Sequence, residues 1–133
     1  MKIKRIAHLG IAIKNLDAAL EFFTGALPLK ATHTEDYQGM TIAFIPVGDS
    51  SVELLQDASG SSAITKFLNN NGEGIHHIAF EVDDINQAVA ELKVRGIKLI
   101  DEKPRPGAHG MSIAFMHPKA THGILMELVQ PME

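Results

Sequence analysis

The order of apolar and polar residues predicts a β-strand followed by a helix at the start of the chain. Residues 2–13 alternate as a strand does, and His8 lies on a face that is otherwise made of small residues. Asn15 is a potential N-cap, and Pro28 ends the helical pattern. The apolar positions of this helix are Leu16, Ala19, Leu20, Phe23 and Leu27. Three β-like stretches follow, at residues 29–35, 40–46 and 51–56.

The second half of the chain repeats the same order of predicted elements. Residues 75–82 alternate with His77, Ala79 and Glu81 on one face, and Asp84 is the potential N-cap of a helix that Gly96 ends. The apolar stripe of this helix is Ile85, Ala88, Val89 and Leu92. Its three β-like stretches are residues 97–103, 111–117 and 124–129. The sequence therefore predicts a β-α-β-β-β unit in two diverged copies.

The copies divide one domain, 1–133, into two modules. Module 1 covers about 1–56, a connector with a short helix near 63–70 covers about 57–74, and module 2 covers about 75–133. A chain of 133 residues with 45% hydrophobic residues is long enough to bury one core. We therefore expect a single compact α+β domain.

The repeat aligns two pairs of chemically active residues. His8 corresponds to His77, and Glu53 corresponds to Glu127. Two imidazoles and two carboxylates suit a divalent ion such as Co, Zn, Ni, Mn or Fe, and four protein ligands leave two octahedral positions for substrate. The simpler alternatives are a structural histidine and an edge-strand glutamate that points to water. A buried carboxylate, in contrast, needs a cation or a proton.

Composition excludes several other classes of function. The chain has no cysteine, so disulfides, thiolate nucleophiles and Cys-ligated zinc are excluded. Its formal net charge of −4 and the lack of a basic run argue against a nucleic-acid partner. No apolar segment reaches membrane-spanning length, and the start has no signal-peptide pattern, so we expect a cytoplasmic protein that does not bind membranes.

Three cationic or titratable residues of module 2 are weaker candidates for substrate binding. Arg105 and His109 lie in a segment, 103–110, that is first proline-rich and then glycine-rich, and Lys119 follows a His-Pro turn. This segment is either an ordinary loop or a lip that holds an anionic substrate.

The chain resembles the vicinal oxygen chelate superfamily, which includes glyoxalase I, bleomycin-resistance proteins and extradiol dioxygenases. Within it, the chain most resembles the methylmalonyl-CoA epimerases over nearly its full length. The segments that carry this resemblance are Gly74-Ile75-His76-His77-Ile78-Ala79-Phe80-Glu81-Val82-Asp83-Asp84-Ile85, Pro46-Val47-Gly48-Asp49 leading to Val52-Glu53-Leu54-Leu55, and Phe115-Met116-His117-Pro118-Lys119 leading to Gly123-Ile124-Leu125-Met126-Glu127-Leu128. The resemblance implies a curved mixed sheet around a metal site bound by His8, Glu53, His77 and Glu127. It also implies a homodimer that acts on an acyl-CoA substrate.

The activity implied by this resemblance is metal-dependent epimerisation of methylmalonyl-CoA. The α-proton is removed, and a divalent ion stabilises the enolate. Some family members carry a non-ligand glutamate on the strand after the Gln-Gly turn, but this chain reads Met40-Thr41-Ile42-Ala43-Phe44 there, without a carboxylate. We therefore expect Glu127 to transfer the proton, with Glu53 next and with His76, His109 and Lys119 as weaker candidates.

Two alternative functions share the same fold. A lactoylglutathione lyase of the glyoxalase I type uses the same ligand set, although it requires cations for glutathione near the first module. A metal-free binding protein of the bleomycin-resistance type sequesters a small molecule, and it leaves the doubled His/Glu pair unexplained. An extradiol dioxygenase fits less well, because a second carboxylate occupies a position that oxygen and substrate need.

Overall fold

The structure is a computed structural model that describes residues 1–132, and its elements follow the doubled order. The first set is β1 (Ile3–Ile13), α1 (Leu16–Glu21), β2 (His33–Tyr37), β3 (Met40–Val47) and β4 (Ser50–Asp57). The connector contains α2 (Thr65–Asn71). The second set is β5 (Gly74–Val82), α3 (Ile85–Val94), β6 (Arg105–Pro106), β7 (Met111–Met116) and β8 (Met126–Pro131). Within residues 1–132, no helix is long and apolar enough to cross a lipid bilayer.

The chain forms two compact units, which we call the N-unit and the C-unit. The N-unit is His8–His76, and the C-unit is Met1–Ala7 together with the residues from His77 onwards. The first strand therefore contributes its beginning to the C-unit and its remainder to the N-unit. The chain crosses between the units at the Ala7–His8 and His76–His77 peptide bonds.

The N-unit is a four-stranded sheet in the order β2-β3-β4-β1. β1 runs parallel to β4, with Leu9 opposite Val52, whereas β3 is antiparallel to both β2 and β4. One face of this sheet packs against α1 through Leu16. The buried residues of this core are Ile13, Leu16, Ala43, Ile45 and Leu54. Residues that alternate with them, including Phe44 and Glu53, lie on the opposite face.

The C-unit repeats this arrangement in the order β5-β8-β7-β6. β5 runs parallel to β8, and β7 is antiparallel to both β8 and β6. One face packs against α3, and the buried residues of that core are Val82, Ile85, Ala88, Val89, Ala114, Met116 and Leu128. A second apolar cluster consists of Ala7, Ala79, Ile113 and Val129. The prediction of two β-α-β-β-β modules is therefore confirmed.

Both helices start with the same N-capping geometry. The Asn15 side chain accepts a hydrogen bond from the Ala18 N–H at 3.1 Å, and the Asp84 side chain accepts one from the Gln87 N–H at 3.1 Å. Each cap satisfies an amide that the first turn of a helix leaves without a backbone acceptor. Both predicted caps are confirmed.

A glutamine from the last strand of each module completes this start. Gln56 Oε1 accepts from the Leu16 N–H at 2.6 Å, and Gln130 Oε1 accepts from the Ile85 N–H at 2.9 Å. Gln130 also donates through Nε2 to the Asp83 carbonyl at 2.8 Å. Each helix is thereby tied to the strand that carries its module's glutamate.

The first helix is shorter than predicted. α1 ends at Glu21, and Phe22–Ala26 continues as a π-helical turn in which the Leu27 N–H donates to the Phe22 carbonyl at 2.9 Å. The Thr24 hydroxyl donates to the Leu20 carbonyl at 2.7 Å, and such side-chain bonding competes with the regular backbone pattern. The apolar spacing alone did not reveal this change of helix type.

Two strand positions also differ from the prediction, and both shifts have local causes. β2 covers His33–Tyr37 rather than 29–35, because Gln38 and Gly39 both have positive φ and form a two-residue turn that extends pairing to Tyr37. The predicted strand at 97–103 is only a single bridge, because Asp101 Oδ2 accepts the Phe115 N–H at 2.9 Å in place of a backbone carbonyl. The regular pairing there, β6, is confined to two residues.

The connector is organised around the Asp57 carboxylate. Asp57 accepts hydrogen bonds from the Thr65 hydroxyl at 2.6 Å, the Ser62 hydroxyl at 2.8 Å and the Gly60 and Ser59 amides at 3.1 and 3.3 Å. These bonds, led by that from Thr65, outweigh partial desolvation and lower the pKa of Asp57 from 3.8 to about 2.

We predict that Gln130→Ala destabilises the protein by about 1–2 kcal/mol, because it removes two hydrogen bonds and leaves a helix-start amide unsatisfied. Urea unfolding measures this effect. Gln87→Ala is the matched control, since its side chain lies on the exposed part of α3 and a change of less than about 0.5 kcal/mol is expected. Equal effects of the two substitutions would contradict the role of Gln130.

We predict that Asp57→Asn lowers the free energy of unfolding at pH 7 and that the difference from wild type shrinks as the pH falls from 5 to 3. A carboxylate with a lowered pKa stabilises the fold above its ordinary pKa and loses that contribution as it becomes protonated. Urea midpoints measured across this range test the effect, with Asp49→Asn in the exposed β3–β4 turn as control. A difference that stays constant with pH would contradict the assignment.

Candidate functional site

The N-unit buries a histidine against a glutamate. His8 on β1 and Glu53 on β4 are each 9% exposed, and His8 Nδ1 lies 2.9 Å from Glu53 Oε2. Parallel pairing of β1 and β4 places Gly10 opposite Glu53. His8 therefore lies two residues before the residue that faces Glu53 across the ladder. The prediction that this glutamate points inward rather than to water is confirmed.

The C-unit repeats this geometry with its own pair. His77 on β5 is 6% exposed, Glu127 on β8 is 5% exposed, and His77 Nε2 lies 3.2 Å from Glu127 Oε1. Ala79 faces Glu127 across the β5–β8 ladder, so His77 also lies two residues before the residue that faces its glutamate. The repeat that is visible in the sequence thus appears as two buried His–Glu pairs, in which the imidazole meets the carboxylate through Nδ1 of His8 and through Nε2 of His77.

An aromatic ring lies beside the glutamate in each unit. Phe44 is opposite Glu53 in the β3–β4 ladder, and Phe115 is opposite Glu127 in the β7–β8 ladder. The Phe115 ring contacts His77 edge-on, with the ring centroids 5.6 Å apart. These rings lower the water content around the pairs and thereby strengthen their electrostatic interactions.

The donor chemistry of the pairs fits a divalent ion. A buried carboxylate requires a proton, a protonated histidine or a bound cation as compensation for its charge. Imidazole nitrogens and carboxylate oxygens are ordinary ligands of first-row transition metals and zinc. Each buried His–Glu pair therefore offers donor atoms of a type that suits a metal ion.

Among the weaker predicted residues, Arg105 contacts both an aromatic ring and a carboxylate. Its guanidinium carbon lies 5.8 Å from the centroid of the Phe115 ring, and its Nε donates to Asp101 Oδ1 at 2.8 Å. The same aspartate accepts the Phe115 amide, so Asp101 fixes both the cation and the ring. Arg105 is therefore connected through Phe115 to His77.

His109 and Lys119 lie in short turns of the C-unit. His109 has a left-handed φ of 59° within Ala108–Gly110, and the Lys119 amide donates to His117 Nδ1 at 3.1 Å within Pro118–Ala120. The Lys119 side chain is exposed. His76, a weaker proton-transfer candidate, packs edge-on against Phe67, with the ring centroids 5.1 Å apart.

A third buried carboxylate occurs in the C-unit without an equivalent in the N-unit. Glu81, 6% exposed, lies on the same face of β5 as His77, and Arg5 and Lys4 lie 2.8 and 3.3 Å from its oxygens. Burial raises its pKa, but the hydrogen bonds and charges of Arg5 and Lys4 outweigh burial and lower the pKa overall. The repeat aligns Glu81 with Ala12, so this ion pair is specific to one copy.

Sequence analysis did not single out Glu35, which the strand register brings to the face of the N-unit sheet that carries Glu53. Glu35 is opposite Ile42 in the β2–β3 ladder, and Ile42 is two residues from Phe44, the partner of Glu53. The side chain is half-buried, whereas its neighbours Thr34 and Asp36 are exposed. The signal in the sequence was the Gln38-Gly39 turn, which fixes this register.

Comparison with known proteins identifies relatives of this chain. Residues 7–115 match the model of the Glyoxalase/Bleomycin resistance protein/Dioxygenase superfamily. The ethylmalonyl-CoA/methylmalonyl-CoA epimerase of Cereibacter sphaeroides is 38% identical over 132 residues, which cover 96% of this chain and 98% of that protein. A probable lactoylglutathione lyase of Synechocystis is less similar, with 30% identity over 94% of both chains.

Solved structures show the same fold. A Streptomyces coelicolor methylmalonyl-CoA epimerase variant in complex with 2-nitronate-propionyl-CoA is 38% identical, with a TM-score of 0.91 over 98% of this chain and 96% of that one. The predicted fold class and the predicted family resemblance are therefore confirmed.

Proposed function

Because the chain belongs to the glyoxalase/bleomycin resistance protein/dioxygenase superfamily and, within it, to the methylmalonyl-CoA epimerases, which are isomerases, we propose that it interconverts the R and S forms of methylmalonyl-CoA. The observation that carries this proposal is the duplicated buried His–Glu pair, since the reaction needs a metal site beside a carboxylate base. Two relatives that are 38% identical and covered over at least 96% of their length are, by name, epimerases of methylmalonyl-CoA.

We propose that His8, Glu53, His77 and Glu127 bind one divalent ion, which is Co, Zn, Ni, Mn or Fe. Each pair offers one imidazole and one carboxylate, which are ligands that such an ion prefers, and this donor chemistry supports the proposal. The bound ion supplies Lewis-acid stabilisation of the negative charge that develops on the thioester oxygen.

The protein's own groups move the proton and bind the substrate. Glu127 removes the α-proton, with Glu53 as the second choice, and burial beside Phe115 excludes water that would compete for that proton. Arg105, His109 and Lys119 are proposed to bind anionic groups of the acyl-CoA. Arg105 is the strongest of these, because a guanidinium fork matches a carboxylate. We further propose a cytoplasmic homodimer without a nucleic-acid or membrane partner.

A lactoylglutathione lyase of the glyoxalase I type is the second candidate. It uses the same His and Glu ligands, and the Synechocystis relative favours it. A metal-free binding protein of the same fold is the third candidate. These functions differ from epimerisation in substrate or in metal dependence, so one comparative experiment separates them.

We predict metal-dependent loss of the α-proton signal of methylmalonyl-CoA when the metal-loaded protein is incubated with it in deuterated water. Proton NMR follows the exchange, and protein treated with a chelator is the control. Methylglyoxal plus glutathione is the parallel substrate. Turnover of that mixture without exchange on the CoA ester would support the lyase. No reaction with either substrate would contradict the proposed epimerase activity.

We predict that His8→Ala and His77→Ala each weaken metal affinity by more than about 100-fold, because even the partners of metal ligands contribute about 10–100-fold. Elemental analysis after dialysis measures the bound metal, and His122→Ala in an exposed turn is the matched control. Glu127→Gln is expected to abolish exchange. Full metal content together with full exchange in Glu127→Gln would contradict its assigned role.

A further inference from the structure

The proposed reaction needs more than one proton-transfer group. Inversion breaks the α-carbon–hydrogen bond on one face of the substrate and forms a new one on the other face. One carboxylate that returns its proton to the same face exchanges hydrogen without inversion. Glu127 is proposed to act on one face of the substrate, with Glu53 as the second choice, and both are proposed as ligands. The other face needs a second titratable group, and a group that does not bind the ion keeps its full basicity.

The N-unit sheet presents a short row of titratable side chains on the face that carries Glu53. Register pairs Phe44 with both Glu53 and His33, and it pairs Ile42 with Glu35. Because residues two apart on a strand share a face, His33 and Glu35 project to the same side as Glu53. The other face is occupied by α1 and its core.

Burial and contacts favour Glu35 over the other members of this row. His33 is exposed, its ring stacks on Phe44 with 4.6 Å between the ring centroids, and its Nδ1 lies 3.0 Å from the Thr32 hydroxyl. Tyr37 is half-buried, but it lies two residues further along β2 from Glu53 than Glu35 does. A phenol is also a weak acid near neutral pH. Glu35 is the half-buried carboxyl group of β2.

The spacing suits two groups that act on one small substrate. Glu35 and Glu53 lie two strands apart, about 10 Å, and they are offset by two residues, about 7 Å, along the strands. Their Cα atoms are thus separated by roughly 12 Å, and the side chains share one face. This arrangement keeps the two carboxylates out of direct contact.

We propose that Glu35 is a catalytic residue that transfers a proton on the substrate face opposite to the ligand carboxylate. This proposal rests on the proposed function. In one direction the ligand carboxylate, Glu127 or as the second choice Glu53, takes the α-proton, and the electron pair of the broken bond moves to the thioester carbonyl. The Glu35 carboxyl group then donates a proton to the other face of the α-carbon. In the reverse direction the two groups exchange roles, and solvent restores their protonation.

Exchange measured separately on the two epimers tests this proposal. The (2R) and (2S) thioesters are incubated with metal-loaded Glu35→Gln in deuterated water, α-proton loss is followed by NMR, and inversion is followed by circular dichroism. We expect inversion to fall by at least about 100-fold, because a positioned acid or base contributes about 10²–10⁴-fold. One epimer is expected to keep its exchange, because the ligand carboxylate still faces its α-proton, and the other is expected to lose it.

Matched variants isolate the effect of the Glu35 carboxyl group. Asp36→Asn removes the adjacent exposed carboxylate, and His33→Gln removes the neighbouring imidazole on the same face; both are expected to keep inversion within about threefold of wild type. Glu35→Asp is expected to recover part of the activity. Bound metal and the urea midpoint should remain at wild-type values in Glu35→Gln.

Three results would overturn parts of this scheme in distinguishable ways. Wild-type rates of inversion in Glu35→Gln would remove Glu35 from the reaction. Equal loss of exchange from both epimers, with metal still bound, would contradict a role on one face. Absence of exchange in the wild-type protein would refute the proposed function itself, and the proposed role of Glu35 would then be refuted as well.

Discussion

The burial of two carboxylates, each beside an imidazole, is the constraint on which the rest of the structure depends. Glu53 and Glu127 lie in strands whose other residues form the cores of the two units, so these side chains have little access to water. Uncompensated, two such charges would destabilise the fold strongly. The adjacent imidazoles and the proposed cation would compensate these charges, and the same fixed charges would supply the electrostatic field that the proposed enolate chemistry requires.

The repeat produces this arrangement twice, because the same strand register positions the histidine and the glutamate in each unit. Parallel pairing places the glutamate opposite the second residue after the histidine in both units. The next side chain on the same face of each glutamate strand is a leucine or a valine, and the glutamine after it holds the start of the module's helix. Helix position, strand register and ligand position are therefore coupled, so a shift in one would displace the others.

Much of this could be predicted from the sequence, and the failures share a cause. Alternation in β1 and β5, the caps Asn15 and Asp84 and the inward orientation of the paired glutamates are local or repeated signals, and the structure has all of them. The π-helical turn after Glu21 and the single bridge at Leu99 arise from side chains that take backbone partners: the Thr24 hydroxyl and the Asp101 carboxylate. Such competition depends on three-dimensional position, which apolar spacing does not encode.

The differences between the two copies are as informative as their likeness. Ile42 and Ile113 are equivalent in the repeat, and the edge-strand residues opposite them are Glu35 in one unit and Arg105 in the other. One copy thus places an acid where the other places a cation. A symmetric pair of modules is sufficient to hold an ion, but a substrate with a carboxylate at one end and a mobile proton beside it is not symmetric. Divergence at this edge-strand position gives the two units different chemistry, while each unit retains its His–Glu pair.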